Sequence, residues 1–141
     1  MLRALVLALL VLWLPAGAHA QSVSDADRSE FQRIITEQIE AFRADDGDRA
    51  YGFAAPLIHR IFPSPETFMQ MVRQGYQPVY RPQSFSFGAT GGDPQGRPSQ
   101  RVVIIGPDGK TYEARYAMER QPDGTWRIAG CTLLEIPGLD A

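Results

Sequence analysis

The chain has 141 residues, with 14 lysines and arginines against 16 aspartates and glutamates, a formal net charge of −2 and 44% apolar residues. These values bound it to one small globular unit, and the absence of a basic tract argues against a nucleic-acid binder. Two histidines and one cysteine exclude Cys/His metal clusters, internal disulfides and dithiol pairs, so neither a metal nor a cofactor is expected.

Met1 to Ala20 has the organisation of an export signal. Arg3 gives the charged start, Ala4 to Leu14 is an unbroken apolar run, and Ala18-His19-Ala20 offers a small-x-small cleavage pattern before Gln21. The run is too short to span a bilayer comfortably, and the mature form is expected to lack an integral span and to reside in the periplasm or outside the cell. Removing the 20 residues leaves 121, with 13 basic against 16 acidic groups and a single histidine, His59. Residues 21–141 are read as one domain with its core over about 25–136.

Ser24 with Asp27 forms a weak capping box, and Phe31, Ile34, Ile35, Ile39 and Phe42 recur at helical spacing, which predicts a helix from about Asp25 to Arg43. Asp45-Asp46-Gly47 ends it. A short second helix is expected from the Asp46 to Asp48 cap through Tyr51 and Phe53, interrupted by Pro56. Ser64-Pro65-Glu66 starts another that carries Phe68, Met69 and Val72 inward and stops at Gly75. The two prolines of Tyr76-Gln77-Pro78-Val79-Tyr80-Arg81-Pro82 imply an extended connector.

From Pro82 the period becomes two. Ser84 to Ala89 predicts a first strand, followed by a glycine-rich loop over Gly91 to Pro98. Arg101 to Ile105, Thr111 to Arg120 and Trp126 to Leu134 then give three more strands. Pro107-Asp108-Gly109 and Pro122-Asp123-Gly124 are matching hairpin turns with glycine where a left-handed backbone is needed. Facing Gln121 with Thr125 sets Met118 opposite Ile128, Tyr116 opposite Gly130 and Tyr112 opposite Leu134; closing the other hairpin sets Ile104 opposite Tyr112 and Arg101 opposite Arg115. The expected fold class is α+β, with N-terminal helices on one face of a curved four-stranded antiparallel meander.

Helices followed by such a sheet, ending on Asp123-Gly124-Thr125-Trp126-Arg127-Ile128-Ala129-Gly130, resemble the cone-shaped fold of the nuclear transport factor 2 (NTF2-like) superfamily. More narrowly, Phe62-Pro63-Ser64-Pro65-Glu66-Thr67-Phe68 and Gly75-Tyr76-Gln77-Pro78-Val79-Tyr80-Arg81-Pro82 resemble an uncharacterised family of exported alphaproteobacterial proteins, domain of unknown function 4864. The narrow family implies no activity. The superfamily implies several, from isomerases and dehydratases to binding modules, so fold does not fix function.

Candidates for proton transfer are His59, whose ordinary pKa lies near neutral, and Asp46 and Asp48 should either be buried. The bland alternatives are a core-edge histidine and a helix cap. Tyr51, Tyr76, Tyr80 and Tyr116 are candidates for a ligand site, since a tyrosine serves a cavity wall with an apolar ring and a hydrogen-bonding tip; Tyr76 and Tyr80 would equally plug the open end of the cone. Cys131 reads as a small buried hydrophobe, with an intermolecular bridge as the minority reading. The second sheet face, with Val103, Ile105, Cys131 and Leu133 among Arg101, Glu113 and Arg115, suits a homodimer contact or a cover by the tail Ile136-Pro137-Gly138-Leu139. Arg101 opposite Arg115 needs a carboxylate such as Glu113 between them, or else an anion. The expected function is a non-catalytic module for a small apolar ligand or a protein partner. The alternative is a small lyase, isomerase or hydrolase using His59 or an aspartate with a tyrosine.

Overall fold

The computed structural model describes residues 23–138. The expected export signal, Met1 to Ala20, lies outside the described residues. Five helices precede four strands: α1 Asp25–Arg43, α2 Gly47–Gly52, α3 Pro56–Ile61, α4 Pro65–Gly75, α5 Gln77–Tyr80, then β1 Ser84–Gly92, β2 Pro98–Ile105, β3 Thr111–Arg120 and β4 Trp126–Glu135. No helix among the described residues is long and apolar enough to cross a membrane.

Helix α1 begins where its cap predicts. Ser24 Oγ accepts the Asp27 N–H at 3.0 Å, and Asp25 and Asp27 place negative charge in the first turn. Phe31, Ile34, Ile35, Ile39 and Phe42 are all buried, and burying a side chain of this size contributes about 1.5–3 kcal/mol. On the opposite side Arg33 bridges Glu30 and Glu37, an exposed ladder worth only a few tenths of a kcal/mol per pair. Asp46 caps α2 by accepting the Arg49 N–H, and Ser64 caps α4 by accepting that of Thr67.

The expected extended connector is instead broken by the single-turn helix α5. Pro78 sits in its first turn, where a missing N–H costs nothing and the ring pre-sets a helical φ. The N–H groups of Val79 and Tyr80 both reach the Tyr76 carbonyl, at 3.0 and 2.9 Å.

The strands form one antiparallel meander in the order β1-β2-β3-β4. Both hairpins close as the turns predict: Gly106 N–H donates to the Lys110 carbonyl at 2.9 Å and Gln121 N–H to that of Thr125 at 2.7 Å, with Gly109 and Gly124 at φ of +78° and +85°. The β2 to β3 register is the expected one, pairing Ile104 with Tyr112 and Arg101 with Arg115. Glu113 stands between the two arginines, 3.1 Å from Arg101 Nε and 2.8 Å from Arg115 Nε, which resolves the like-charge opposition. Strand β1 runs further than expected: Gly91 and Gly92 pair with Ser99 and Pro98, after an irregularity between Phe87 and Thr90. The glycine-rich loop is thereby shortened.

Strand β4 departs from the expected register at one residue. Met118 pairs with Ile128, but Ala117 pairs with Gly130, so Ala129 is a bulge and every later residue of β4 is shifted by one. Tyr116 therefore pairs with Cys131 rather than Gly130, and Tyr112 with Glu135 rather than Leu134. The physical reason lies in the apolar spacing. Ile128, Cys131 and Leu133 cannot share a face in a regular strand, and one extra residue after Ile128 brings all three against the core. The assignment of Cys131 and Leu133 to the outer sheet face is thus corrected: Leu134 takes that place and is 59% exposed.

The core lies between α1, α4 and α5 and the inner sheet face of Val102, Ile104, Ala114, Tyr116 and Met118. Trp126 closes one end. Its ring meets Phe31 edge-on at 4.9 Å, and its Nε1–H donates to Asp27 Oδ1 at 3.2 Å, joining the first helix to the last strand.

Candidate functional site

Between the helices and the bulged end of β4 lies a cavity of about 340 Å³. Helix α1 contributes Gln38 and Phe42; the α3 region gives Ala54, Ile58 and Phe62; α4 gives Phe68, Met71 and Val72. The connector and sheet complete it with Tyr76, Val79, Tyr116 and Ile128 through Cys131. The volume is typical of small-molecule sites, as is a mostly apolar wall with a few convergent polar groups.

The α3 wall is fixed by main-chain bonds to the last strand. Ile128 donates to the Phe53 carbonyl and accepts from the Ala55 N–H, both at 2.8 Å, so residues 53–55 cover the outer edge of β4 just before the bulge. Past the bulge the same edge receives a side chain: the Tyr76 hydroxyl donates to the Cys131 carbonyl at 3.0 Å.

Three polar groups meet at this end of the cavity. The Tyr116 side chain is 1% exposed, and among the described residues its hydroxyl is bonded by no oxygen or nitrogen and has only the weak Cys131 thiol as a neighbouring partner. Burial, and secondarily the neighbouring Cys131 thiol and Tyr76 hydroxyl, hold its pKa well above the ordinary phenol value. Burial also raises that of Tyr76. The Cys131 thiol is pushed up to about 12 by burial, against a smaller opposing effect of Tyr116. A thiol held that high carries very little thiolate near neutral pH and is a poor nucleophile.

The sequence candidates are divided by this geometry. Tyr76 and Tyr116 line the cavity; Tyr51 and Tyr80 do not. Tyr51 stacks on the His59 ring at 3.8 Å and donates its hydroxyl proton to the Phe62 carbonyl at 2.5 Å, fastening α2 to α3. Tyr80 is turned toward the end of α1, where its hydroxyl donates to Asp45, which also receives Arg81 Nη2 at 2.9 Å. The Tyr80 bond and then the Arg81 guanidinium lower the Asp45 pKa. His59 bonds the Tyr51 carbonyl through Nε2 at 2.9 Å; a carbonyl only accepts, so that nitrogen carries the proton. Asp46 and Asp48 are exposed and border a separate polar groove beneath α4. Among the described residues, neither histidine nor carboxylate is found on the cavity lining.

One polar lining residue was not singled out from the sequence, and another, Cys131, was assigned to the wrong sheet face. Gln38 is buried and donates to the Ala50 carbonyl at 3.1 Å. Its signal was there to read, because it falls on the apolar stripe of α1 between Ile34 and Phe42. The inward turn of Cys131 had its own signal in the three-then-two spacing of Ile128, Cys131 and Leu133.

Residues 24–141 match the family described as Domain of unknown function (DUF4864), and the chain belongs to that family. No match was found among curated proteins or among solved structures.

Proposed function

We propose that this DUF4864 protein is a non-catalytic, single-domain binding module that takes a small, largely apolar molecule into the cavity between its helices and the bulged end of β4. The observation that carries the reading is the cavity itself: about 340 Å³, apolar on most walls, with Tyr76, Tyr116 and Cys131 together at one end. The lining supports binding over proton transfer, which needs a base within hydrogen-bond reach of the substrate. His59 is bonded to the Tyr51 carbonyl and Asp46 to the cap of α2, so the enzymic alternative would have to recruit groups already engaged elsewhere.

The export signal at Met1 to Ala20 supports a periplasmic or secreted mature protein beginning at Gln21. Helices preceding an antiparallel sheet, with Asp123-Gly124-Thr125-Trp126-Arg127-Ile128 on the last hairpin, support kinship with the NTF2-like superfamily. For a protein partner or a second copy, the surface is the outer sheet face around Val103, Ile105 and Arg115, with exposed Leu134 supporting it.

Native mass spectrometry of the protein purified from its own cell envelope tests the binding reading. A retained small-molecule mass that is lost on mild unfolding is expected; the bare mass of the mature chain under gentle conditions overturns it.

A further inference from the structure

The polar end of the cavity is not fully satisfied, and the way in which it is unsatisfied carries information about an occupant. Tyr76 spends its proton on the Cys131 carbonyl at 3.0 Å. Cys131 presents a neutral thiol, a weak acceptor. Tyr116, fully enclosed, presents a hydroxyl that no protein oxygen or nitrogen bonds, with only the weakly hydrogen-bonding Cys131 thiol beside it. Buried hydroxyls are almost always hydrogen-bonded, because an unmade bond leaves the full desolvation cost of the group in the folded state. Phenylalanine would fill the same volume without that cost. Gln100, which faces Tyr116 across β2 and β3, also has an unpartnered Oε1, but it is not part of the cavity lining, so an entering molecule meets Tyr116 and not Gln100.

The rest of the wall restricts the occupant further. Among the described residues no lysine, arginine or histidine is on the lining, so an ionised carboxylate or phosphate would lose its hydration with no opposite charge from them to receive it. No aspartate or glutamate is there either, which disfavours a cation in the same way.

We infer that the Tyr116 hydroxyl is the anchor of the site, and that the ligand is an uncharged molecule with an apolar body and a carbonyl oxygen, which enters oxygen-first and accepts the Tyr116 proton beside Tyr76 and Cys131. This rests on the binding reading above and adds to it the ligand's charge, its polar group and its direction. The remaining apolar body lies against Phe42, Ile58, Phe62, Phe68 and Met71.

Three probes of nearly equal shape test it by titration calorimetry: acetylnaphthalene, isopropenylnaphthalene and naphthoate, all substituted at the same ring carbon. The ketone is expected to bind about tenfold tighter than the alkene, which is about the effect of one net hydrogen bond, and at least about tenfold tighter than the carboxylate. In Tyr116→Phe the ketone-to-alkene ratio is expected to fall to about one, with the alkene affinity changed less than about twofold. A ketone preference that survives Tyr116→Phe, or no preference in the native protein, overturns the anchor while alkene binding leaves the cavity reading standing. Naphthoate binding as tightly as the ketone overturns the uncharged class. If neither neutral probe binds, the cavity reading fails and the anchor with it.

Discussion

Before Ala129, β4 is tied down by named contacts: Trp126 lies edge-on to Phe31, Ile128 is buried, and the outer edge is paired with residues 53–55 through both backbone groups of Ile128. Beyond Ala129 the strand borders empty volume, its Cys131 carbonyl is reached by a tyrosine side chain, and the residue opposite it keeps a hydroxyl that no protein oxygen or nitrogen bonds. The two halves belong to one strand of one sheet, so the difference is not one of secondary structure. The first half is arranged for stability, with its edge groups paired and Trp126 joined to α1. The second retains an unfavourable group and a void, which a chain selected for stability alone would replace with a larger apolar residue. The contrast is in line with the proposed binding at the bulged end and a supporting role for the tryptophan end.

The contrast breaks most visibly if truncation costs the same on both sides. Phe31→Ala removes a fully buried ring from the filled end and is expected to destabilise by about 3–5 kcal/mol in chemical denaturation. Phe62→Ala, a half-buried lip of the cavity, is expected to cost about 1–2 kcal/mol, because part of its surface already faces no packed atoms. Equal losses at the two sites would remove the distinction.

A second, smaller effect is alkaline. The Cys131 thiol is raised by burial from its ordinary 9.0 to about 12, so between those values the unfolded chain releases a proton that the folded chain keeps. Stability from this group is therefore intact below about pH 9 and is lost progressively as pH rises toward 12. Melting temperatures of the native protein and Cys131→Ala across that range check it: the variant should show the shallower decline, and parallel curves would mean that the thiol is hydrated in the folded state. The smallest effect has the opposite sign. Tyr116→Phe is expected to stabilise the unliganded protein by about 1 kcal/mol, since it deletes a buried hydroxyl that no protein oxygen or nitrogen bonds and that has only the weak Cys131 thiol beside it. A destabilisation of that size would mean the hydroxyl has a partner, and the two ends of β4 would then be alike.

Much of the architecture was legible because it is encoded locally. The α1 limits follow from Ser24 and an apolar stripe that ends before Asp45, and the hairpin closures follow from Gly109 and Gly124, each within a few residues of the contacts it sets. The misread elements depend on partners remote in sequence. Pro78 is compatible with an extended connector or with the first turn of a helix, and only docking of Val79 against the core selects the helix. Tyr51 and Tyr80 have the chemistry of a cavity rim, but the Phe62 carbonyl and the Asp45 carboxylate, 11 and 35 residues away, claim their hydroxyls. The cavity was foreseeable in kind from Tyr76 and Tyr116. Its third polar member, Cys131, was hidden by assuming unbroken alternation through Ala129.

That bulge acts on the strand as a change of reading frame acts on a message. Upstream of Ala129 even-numbered residues such as Ile128 face the interior, whereas downstream the odd-numbered Cys131 and Leu133 do. Pairing the same residues without the bulge would leave composition and hydropathy unchanged, yet would exchange Cys131 and Leu133 with Thr132 and Leu134 and so rewrite one wall of the cavity, whereas deleting Ala129 would keep both inward. Which side chains of β4 line the cavity is therefore decided by how the strand is paired and not by its composition.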